Sequence, residues 1–599
     1  MYYSNGNYDA FARPRKPAGV DDKKAWLVGG GLASMAAAGF LIRDGQMKPE
    51  NITIFEASGV DGGALDGSGD AETGWKIRGG REMENHFECF WDLYRSVPSL
   101  EVDGSVLDEF FWINKDDPNF SLMRTTQERG KNGGTNGKFK MSKRAMDDLM
   151  KLVFALPDRL YDKRISNVVS KEFFRSNFWL YWRTMFAFEE WHSALEMKLY
   201  VQRFIHHIAG LPDLSALKFT KYNQYDSLVR PLKKWLEDQG VRFKNNHAVV
   251  DANFEIIGDT KRATSITIRK PKGKEKVLNL TDNDLLFVTN GSLVENSRWG
   301  DHHTPAKFDT TIYEGGAWDL WRKIARQDPS FGNPDNFCTH PEESQWESAT
   351  ITVKDDRIRD YITKICKRET NTGRVVTGGI VTARDSKWLL SWTVNRQPHF
   401  PDQPDDQTVV WFYSLFTNVP GDYVKKPMRD CTGEEITQEW LYHLGVPENE
   451  IPKLAAKGAI TLPCMMPFVT AFFMPRNGTD RPKVVPEGAV NFAFIGQFAE
   501  STRDTIFTTE YSVRTAMEGV YELLGVERGV PEVFSSIYDV RQLLKSTALL
   551  RDGKPYELPK AVRKLVEGNE AGLLLAQYGV IGEPGEVPPP AEAVSAKGP

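Results

Sequence analysis

Short apolar runs that end on glycine set the order of this chain. Ala25-Trp26-Leu27-Val28 leads into Gly29-Gly30-Gly31-Leu32-Ala33-Ser34, then a small-residue stretch from Met35 to Arg43, then Ile52-Thr53-Ile54-Phe55, which stops at Glu56. Continuous apolar runs bounded by turn residues predict buried strands, and the stretch between them predicts a helix. Similar runs return late, at Leu285-Leu286-Phe287-Val288 before Thr289-Asn290-Gly291-Ser292 and at Phe492-Ala493-Phe494-Ile495 before Gly496-Gln497-Phe498. A helical stretch from Thr508 to Leu524 follows the second. With Val241-Arg242-Phe243 before Ala248-Val249-Val250-Asp251, they predict one α/β domain assembled from residues 20–100, 211–300 and 480–525, with lobes 101–210 and 301–479 inserted between its strands.

Other patterns interrupt this order. From Lys171 to Gly210 the chain reads as helical and carries Phe174, Phe178, Tyr181, Trp182, Phe186 and Trp191, too many rings for one narrow stripe. Such a segment is wholly buried or lines an apolar cavity, and core packing is the expected place for most of the rings. Residues 120–140, with Thr125 to Gly134 as their polar stretch, read as a surface loop. Residues 526–580 predict two or three amphipathic helices, in which Leu543, Leu544, Leu549 and Leu550 alternate with Arg541, Lys545, Arg551 and Lys554, followed by Lys560, Arg563 and Lys564. A basic amphipathic segment lies on an anionic membrane, packs against a partner subunit, or caps its own domain with a solvated face. Residues 581–599, rich in Pro, Ala and Glu, predict a disordered tail.

Composition narrows the class. The 599 residues are 40% hydrophobic and 26% charged, which excludes a disordered chain or a polytopic membrane protein, and the length implies several lobes. A net charge of -5 argues against a whole-protein attraction to nucleic acid. Cys89, Cys338, Cys366, Cys431 and Cys464 have neither C-x-x-C nor metal-ligand spacing, so no disulfide framework and no metal site are predicted. Met1 to Asn7 contain no basic cluster or apolar run, which makes the cytoplasm the expected compartment. Aromatic residues reach 12% and concentrate between Phe173 and Phe204 and around Phe110 to Trp112.

The glycine turns carry the first chemistry. Gly29, Gly31 and Ala33 let backbone approach a pyrophosphate at a helix N-terminus, and Glu56 stands where an acid binds ribose hydroxyls. Ser34 makes the third fingerprint position degenerate. A second cluster, Asp61-Gly62-Gly63-Ala64-Leu65-Asp66-Gly67, follows closely, as a flavin needs where the chain passes its phosphates and ribityl chain. The expected fold is therefore a discontinuous Rossmann-like FAD-binding domain with inserted substrate domains and a helical C-terminal subdomain. Its FAD contacts are expected at Gly29, Gly31, Ala33, Ser34, Glu56, Gly62, Gly63, Asp66, Arg81, Glu82, Met83, Asn290, Gln497, Thr505, Phe507 and Thr508.

Two polar segments stand out beyond the turns. In Ile77-Arg78-Gly79-Gly80-Arg81-Glu82-Met83-Glu84-Asn85-His86-Phe87-Glu88-Cys89, a carboxylate such as Glu82 held beside a flavin acts as a base towards water where its pKa allows. Glu84 and Glu88 are spaced i, i+4 on a predicted helix and read as solvated or paired. In Leu390-Ser391-Trp392-Thr393-Val394-Asn395-Arg396-Gln397-Pro398-His399-Phe400, alternation places Thr393 and Asn395 on one side of a strand. A hydroxyl, an amide and the His399 imidazole can hold a carboxylate, although spacing alone favours a strand with a polar outer face.

Arg78 to Cys89, Ser176-Asn177-Phe178-Trp179-Leu180-Tyr181-Trp182 through Trp191-His192-Ser193-Ala194, and Lys218 to Tyr225 resemble the oleate hydratases, once called myosin-cross-reactive antigens. Asn395 to Phe400 and Arg503 to Ser512 share that resemblance, which runs from about Tyr2 to about Val533. It implies an FAD-binding hydro-lyase that adds water across the cis-9 double bond of oleic acid, giving 10-hydroxystearic acid, and acts on related unsaturated fatty acids without net redox. The flavin is required, not consumed, and favours activity when reduced. By the same resemblance Glu82 positions or activates water, Tyr200 protonates the alkene, and Thr393, Asn395 and His399 hold the fatty-acid carboxylate. The resemblance implies an unsaturated fatty acid as partner; a homodimer is expected, as is contact of the basic C-terminal helices with an anionic inner-membrane surface, and no nucleic-acid partner is expected.

A neutral phenol with pKa ≈ 10 is a weak acid for an isolated alkene, so a hydronium-like water near Glu82 is an alternative proton source. Two other readings compete for the whole chain: a flavin oxidoreductase acting on a lipid or amine, which needs an electron acceptor, and a membrane-surface or host-interaction protein, motivated by the basic C-terminal region. Under the hydratase reading, part of the aromatic excess is the wall of a lipid tunnel leading to Glu82 and the flavin.

Overall fold

The computed structural model describes residues 13–581 except 81, 503, 535, 559, 567 and 568, so the expected contact at Arg81 and nearly all of the predicted tail lie outside the described residues. Five parallel strands run in the order Phe492–Ile495, Asp284–Thr289, Lys24–Val28, Ile52–Glu56 and Arg242–Asn245. Parallel neighbours need crossover connections. Helix Leu32–Arg43 supplies the first, and helix Thr509–Leu524 packs against it. Leu27, Ile54, Phe287 and Phe494 are fully buried, as in a sheet covered on both faces. A three-stranded antiparallel sheet, Glu275–Asn279, Thr260–Arg269 and Ala248–Ile257, carries helix Ala317–Ala325 on its last strand. Trp318, Trp321, Phe331 and Phe337 join the core of the parallel sheet, so this part of the expected 301–479 lobe packs with the cofactor side instead.

An eight-stranded sheet forms the second lobe, with Trp346–Val353, Thr408–Ser414 and Ala459–Met466 at its centre. Alternate residues of one strand enter different cores. Val410 and Phe412 join a cluster with helices Asp356–Cys366 and Gly433–Leu444, while Val409, Trp411 and Tyr413 join Trp75, Ile77 and Trp346 on the opposite face. That opposite face lines a second, smaller pocket. The predicted loop at 125–134 is a hairpin, Thr125–Gln127 with Lys131–Asn132, at the edge of this sheet. Its threonines are β-branched and buried, which outweighs their polarity.

The ring-rich segment is broken rather than continuous. Its helices are Lys171–Phe174, Asn177–Phe186 and Ala194–Phe204, with a tight 3-10 turn from Ile205 to Gly210. Ser176 and Ser193 accept the N–H groups of Trp179 and Glu196 as N-caps, and Ala187 takes a left-handed φ of 56° that ends the second helix. Phe173, Phe178, Trp179 and Trp182 pack on one another in the core. Of the rings at 110–112, Phe110 is buried, while Phe111 and Trp112 are each 54% exposed and lie on the surface.

After Gly525 the chain folds back on itself. Helix Val540–Leu550 lies along Ile205–Gly210, where the Ser546 hydroxyl donates to the Ile205 carbonyl at 3.1 Å. Helices Lys560–Val566 and Glu570–Gln577 follow. Among the described residues no helix is long and apolar enough to cross a membrane. All five cysteines are buried and free.

Candidate active site

The turn after strand Lys24–Val28 opens onto a cavity of ≈ 760 Å³. Gly29 takes φ 94°, and a Cβ on Gly30 would lie 2.7 Å from Asp61 Oδ1 and 2.9 Å from the Glu56 Cβ, so glycine is required there. The Gly62 N–H donates to the Gly30 carbonyl at 2.8 Å, which presses the second glycine cluster against the first. Gly31 precedes helix Leu32–Arg43 without a side-chain cap, leaving the helix N-terminus open to an anion. Glu56 accepts the N–H groups of Gly30 and Ser58, each at 2.7 Å. Asn290 is buried on the cavity wall, and neither its amide nitrogen nor its amide oxygen has a partner among the described residues. Helix-end donors, a strand-end carboxylate and an unsatisfied amide together fit a dinucleotide.

Most of the expected cofactor contacts gather here: Gly29, Gly31, Ala33, Glu56, Gly62, Gly63, Asp66, Asn290, Gln497, Phe507 and Thr508 all line the cavity. Three depart. Ser34 turns into the sheet, 3.4 Å from the Thr289 hydroxyl, because the first turn of the helix faces its side chain away from the cavity. Met83, like Glu82, lines the neighbouring pocket, and Thr505 is buried and lines neither. Arg78, which is not among the expected contacts, also lines the cavity and pairs with Asp66 at 3.1 Å; its place beside Gly79-Gly80 is the sequence signal for it.

The second cavity, ≈ 90 Å³, brings Glu82, Tyr200, Thr393 and Asn395 together among Met185, Phe186, Phe204 and Trp411. Of the ring-rich segment, only its later rings reach this wall. Phe507, Thr508 and Thr509 line both cavities. Phe507 takes φ 71°, a costly conformation for a bulky residue, and its N–H donates to Gln497 Oε1 at 2.5 Å. Gln497 Nε2 donates in turn to the Thr508 carbonyl at 3.0 Å and the Ser512 hydroxyl at 2.8 Å. One amide therefore fastens the shared wall.

Two expected roles meet obstacles. The Tyr200 hydroxyl donates to the Ile506 carbonyl at 2.6 Å, and burial, reinforced by Glu196 and Asp504, pushes its phenol well above the usual range. That makes it a still poorer acid. His399 does not line the pocket with Thr393 and Asn395. The strand ends at Thr393, so alternation no longer governs residue 399; the ring is buried against Phe400, and burial lowers its pKa to about 4.

Glu84, expected on a helix with Glu88, precedes that helix and is 2% exposed. Its Oε1 accepts from Arg203 at 2.8 Å, and its Oε2 lies 2.9 Å from His206 Nε2 and 2.6 Å from His207 Nε2. Burial alone would raise its pKa, but His207, Arg203 and the imidazole hydrogen bonds hold the carboxyl well below its ordinary value. Glu84 and His207 both line the small pocket.

A parallel sheet with a glycine-lined nucleotide cavity, backed by an apolar pocket bearing a carboxylate, defines the class. The chain belongs to the MCRA family, which it matches over residues 22–521. It is 51% identical over 558 residues to the oleate hydratase of Streptococcus pyogenes serotype M49 (strain NZ131), covering 92% of this chain and 94% of that protein. It is 30% identical over 549 residues to the linoleate hydratase of Lactiplantibacillus plantarum, covering 84% and 94%. Among solved structures, cyclohexylamine oxidase from Brevibacterium oxydans IH-35A is 11% identical with a TM-score of 0.48, covering 84% of this chain and 99% of that one.

Proposed function

We propose that the protein is an FAD-dependent hydratase that adds water across the cis-9 double bond of oleic acid and related unsaturated fatty acids, giving 10-hydroxy acids without net redox. The observation that carries this reading is the shared wall at Phe507 to Thr509, which sets a dinucleotide cavity against an apolar pocket presenting Glu82. The family relationship and the printed names of both relatives support the same reading.

Protonating an isolated alkene leaves positive charge on carbon, which water then captures. Glu82 is the group placed to hold that water and accept its proton, and the surrounding rings exclude bulk solvent. FAD held by the glycine turns would, in its reduced state, supply an electron-rich ring that stabilises positive charge in its neighbourhood. Thr393 and Asn395 offer a hydroxyl and an amide to the substrate carboxylate. Tyr200 ties the pocket to the 505–508 loop and orients the chain rather than donating the proton. Drug-sized ligands occupy about 300–1,000 Å³, so an acyl chain enters this ≈ 90 Å³ pocket only as side chains such as Phe186 and Met185 move aside.

Incubation with oleate and FAD under argon tests the reading. A product heavier by one water, formed without an electron acceptor, supports it; an obligatory acceptor excludes it. The C-terminal helices are proposed to meet an anionic lipid surface, supported by Leu565 and Leu573, 74% and 69% exposed beside a basic sequence. Flotation with anionic but not neutral vesicles is the expected outcome, and binding to neither removes that proposal.

A further inference from the structure

Hydration consumes one proton at carbon and releases one from the attacking water, so a pocket that repeats the reaction needs a group that gives a proton and is refilled. Tyr200 is poorly suited, because its proton rests on a backbone carbonyl. Glu82 is charged with accepting. The pocket wall also carries the imidazole of His207.

We propose that His207, hydrogen-bonded through Nε2 to Glu84, is the catalytic proton donor of the pocket and is refilled from Glu82 after water has added. This rests on the hydratase reading and names a group for it. The arrangement carries it. Glu84 is buried and Arg203 fixes its other oxygen, so the carboxylate cannot rotate away from the imidazole. A carboxylate bonded to one ring nitrogen fixes the tautomer, leaves the second nitrogen to exchange protons, and stabilises an imidazolium while it exists. His206 shares the same carboxylate oxygen, but its other nitrogen lies 3.1 Å from the Ser536 hydroxyl, and burial takes its pKa down to about 4, so it stays neutral and structural.

In the step, the His207 imidazolium gives its proton to one alkene carbon, the water oxygen bonds to the other, and the proton lost by that water passes to Glu82. Transfer from Glu82 to His207 through pocket water restores both groups, and the sum is one alkene plus one water. Among the described residues, the charged and titratable groups around His207 are Glu84 from the 80s loop, Arg203 and His206 from its own segment, and Glu82, Tyr200 and Tyr413 on the same pocket wall, with His86 and Asp504 one contact further out. A divalent cation among Glu84, His206 and His207 would have to sit beside the Arg203 guanidinium, which disfavours a metal there.

His207→Gln tests this, because the amide can still donate to Glu84 but cannot carry a proton. The expected result is a fall in kcat of about a hundredfold or more, with KM within about threefold, FAD content and melting temperature as in the wild type, and one limb of the pH–rate profile lost. Turnover within about threefold of the wild type with an unchanged pH profile overturns the proposal. His207→Asn, which keeps a shorter donor, gives the same readout if the glutamine variant does not fold. The wild type is assayed alongside: if it adds no water to oleate the hydratase reading itself fails, whereas a working wild type with an equally active variant removes only His207.

Discussion

Glu82 and Glu84 stand two residues apart on the same pocket wall and are given different work by their partners. Glu84 is locked by Arg203, His206 and His207, and its charge is held by that network. The motif around Arg78 to Cys89 made Glu82 legible in the sequence. The partners of Glu84 lie more than a hundred residues away, so i, i+4 spacing was the only available reading, and a buried His-His pair has no spacing signature at all. At this scale Tyr200→Phe is informative. It leaves the Ile506 carbonyl without its donor, which costs about 1–3 kcal/mol of stability, and retains turnover within about tenfold of the wild type. Near-complete loss of kcat at unchanged KM and unchanged folding would return the acid role to Tyr200.

Elements were legible where one kind of signal dominated. Strands of the parallel sheet are continuous apolar runs, and glycine marks the turns that follow them. The hairpin at 125–132 was not legible, because an edge pair built of Thr, Gln, Lys and Asn has loop composition. The breaks in the ring-rich segment were hidden because Ser176 and Ser193 act as caps only in the fold. Between elements, the Gln497 amide holds the strained wall at Phe507. Gln497→Leu removes the acceptor of the Phe507 N–H and a donor to the Thr508 carbonyl, at about 1–3 kcal/mol each. Expected consequences are FAD retention on gel filtration reduced by about tenfold or more and a parallel loss of kcat/KM; unchanged FAD affinity would mean the wall is held by other contacts.

Over the whole molecule, the chain beyond the cofactor domain is tied back to it. Arg528 makes paired hydrogen bonds to Asp92 at 2.6 and 2.7 Å, and Arg43 meets the same carboxylate. Burial alone would raise the Asp92 pKa, but Arg528 and Arg43 hold it below the usual carboxylate range. Its folded value lies under the unfolded value of about 3.9, so its stabilisation is complete above that pH and is lost as pH falls through the folded value. Glu189 and Glu518, both pushed up to about 7 by burial, act in the opposite sense, costing stability as pH rises from about 4 to 7.

Comparison with Asp92→Asn isolates the acid-side contribution. The variant is expected to be about 3–5 kcal/mol less stable at neutral pH, measured by urea denaturation, with the gap narrowing below about pH 4. Removing residues 526–599 strips the partners of His206 and Ile205 at the pocket's back, and loss of both folded stability and oleate turnover is expected. The inserted organisation of the chain was legible from where the apolar runs return. The allegiance of Trp318 to Phe337 was not, since packing partners across lobes leave no periodic trace.

Glu82, on this reading, directs water onto an alkene in a flavin-backed pocket. Its most direct test compares wild type with Glu82→Gln, both loaded with FAD, on oleate under argon in water labelled with heavy oxygen. The expected result is a wild-type hydroxy acid carrying one labelled oxygen and a variant with equal FAD content whose kcat is lower by about 10²–10⁴. Unlabelled product from the wild type, or a variant that turns over at the wild-type rate, would contradict it.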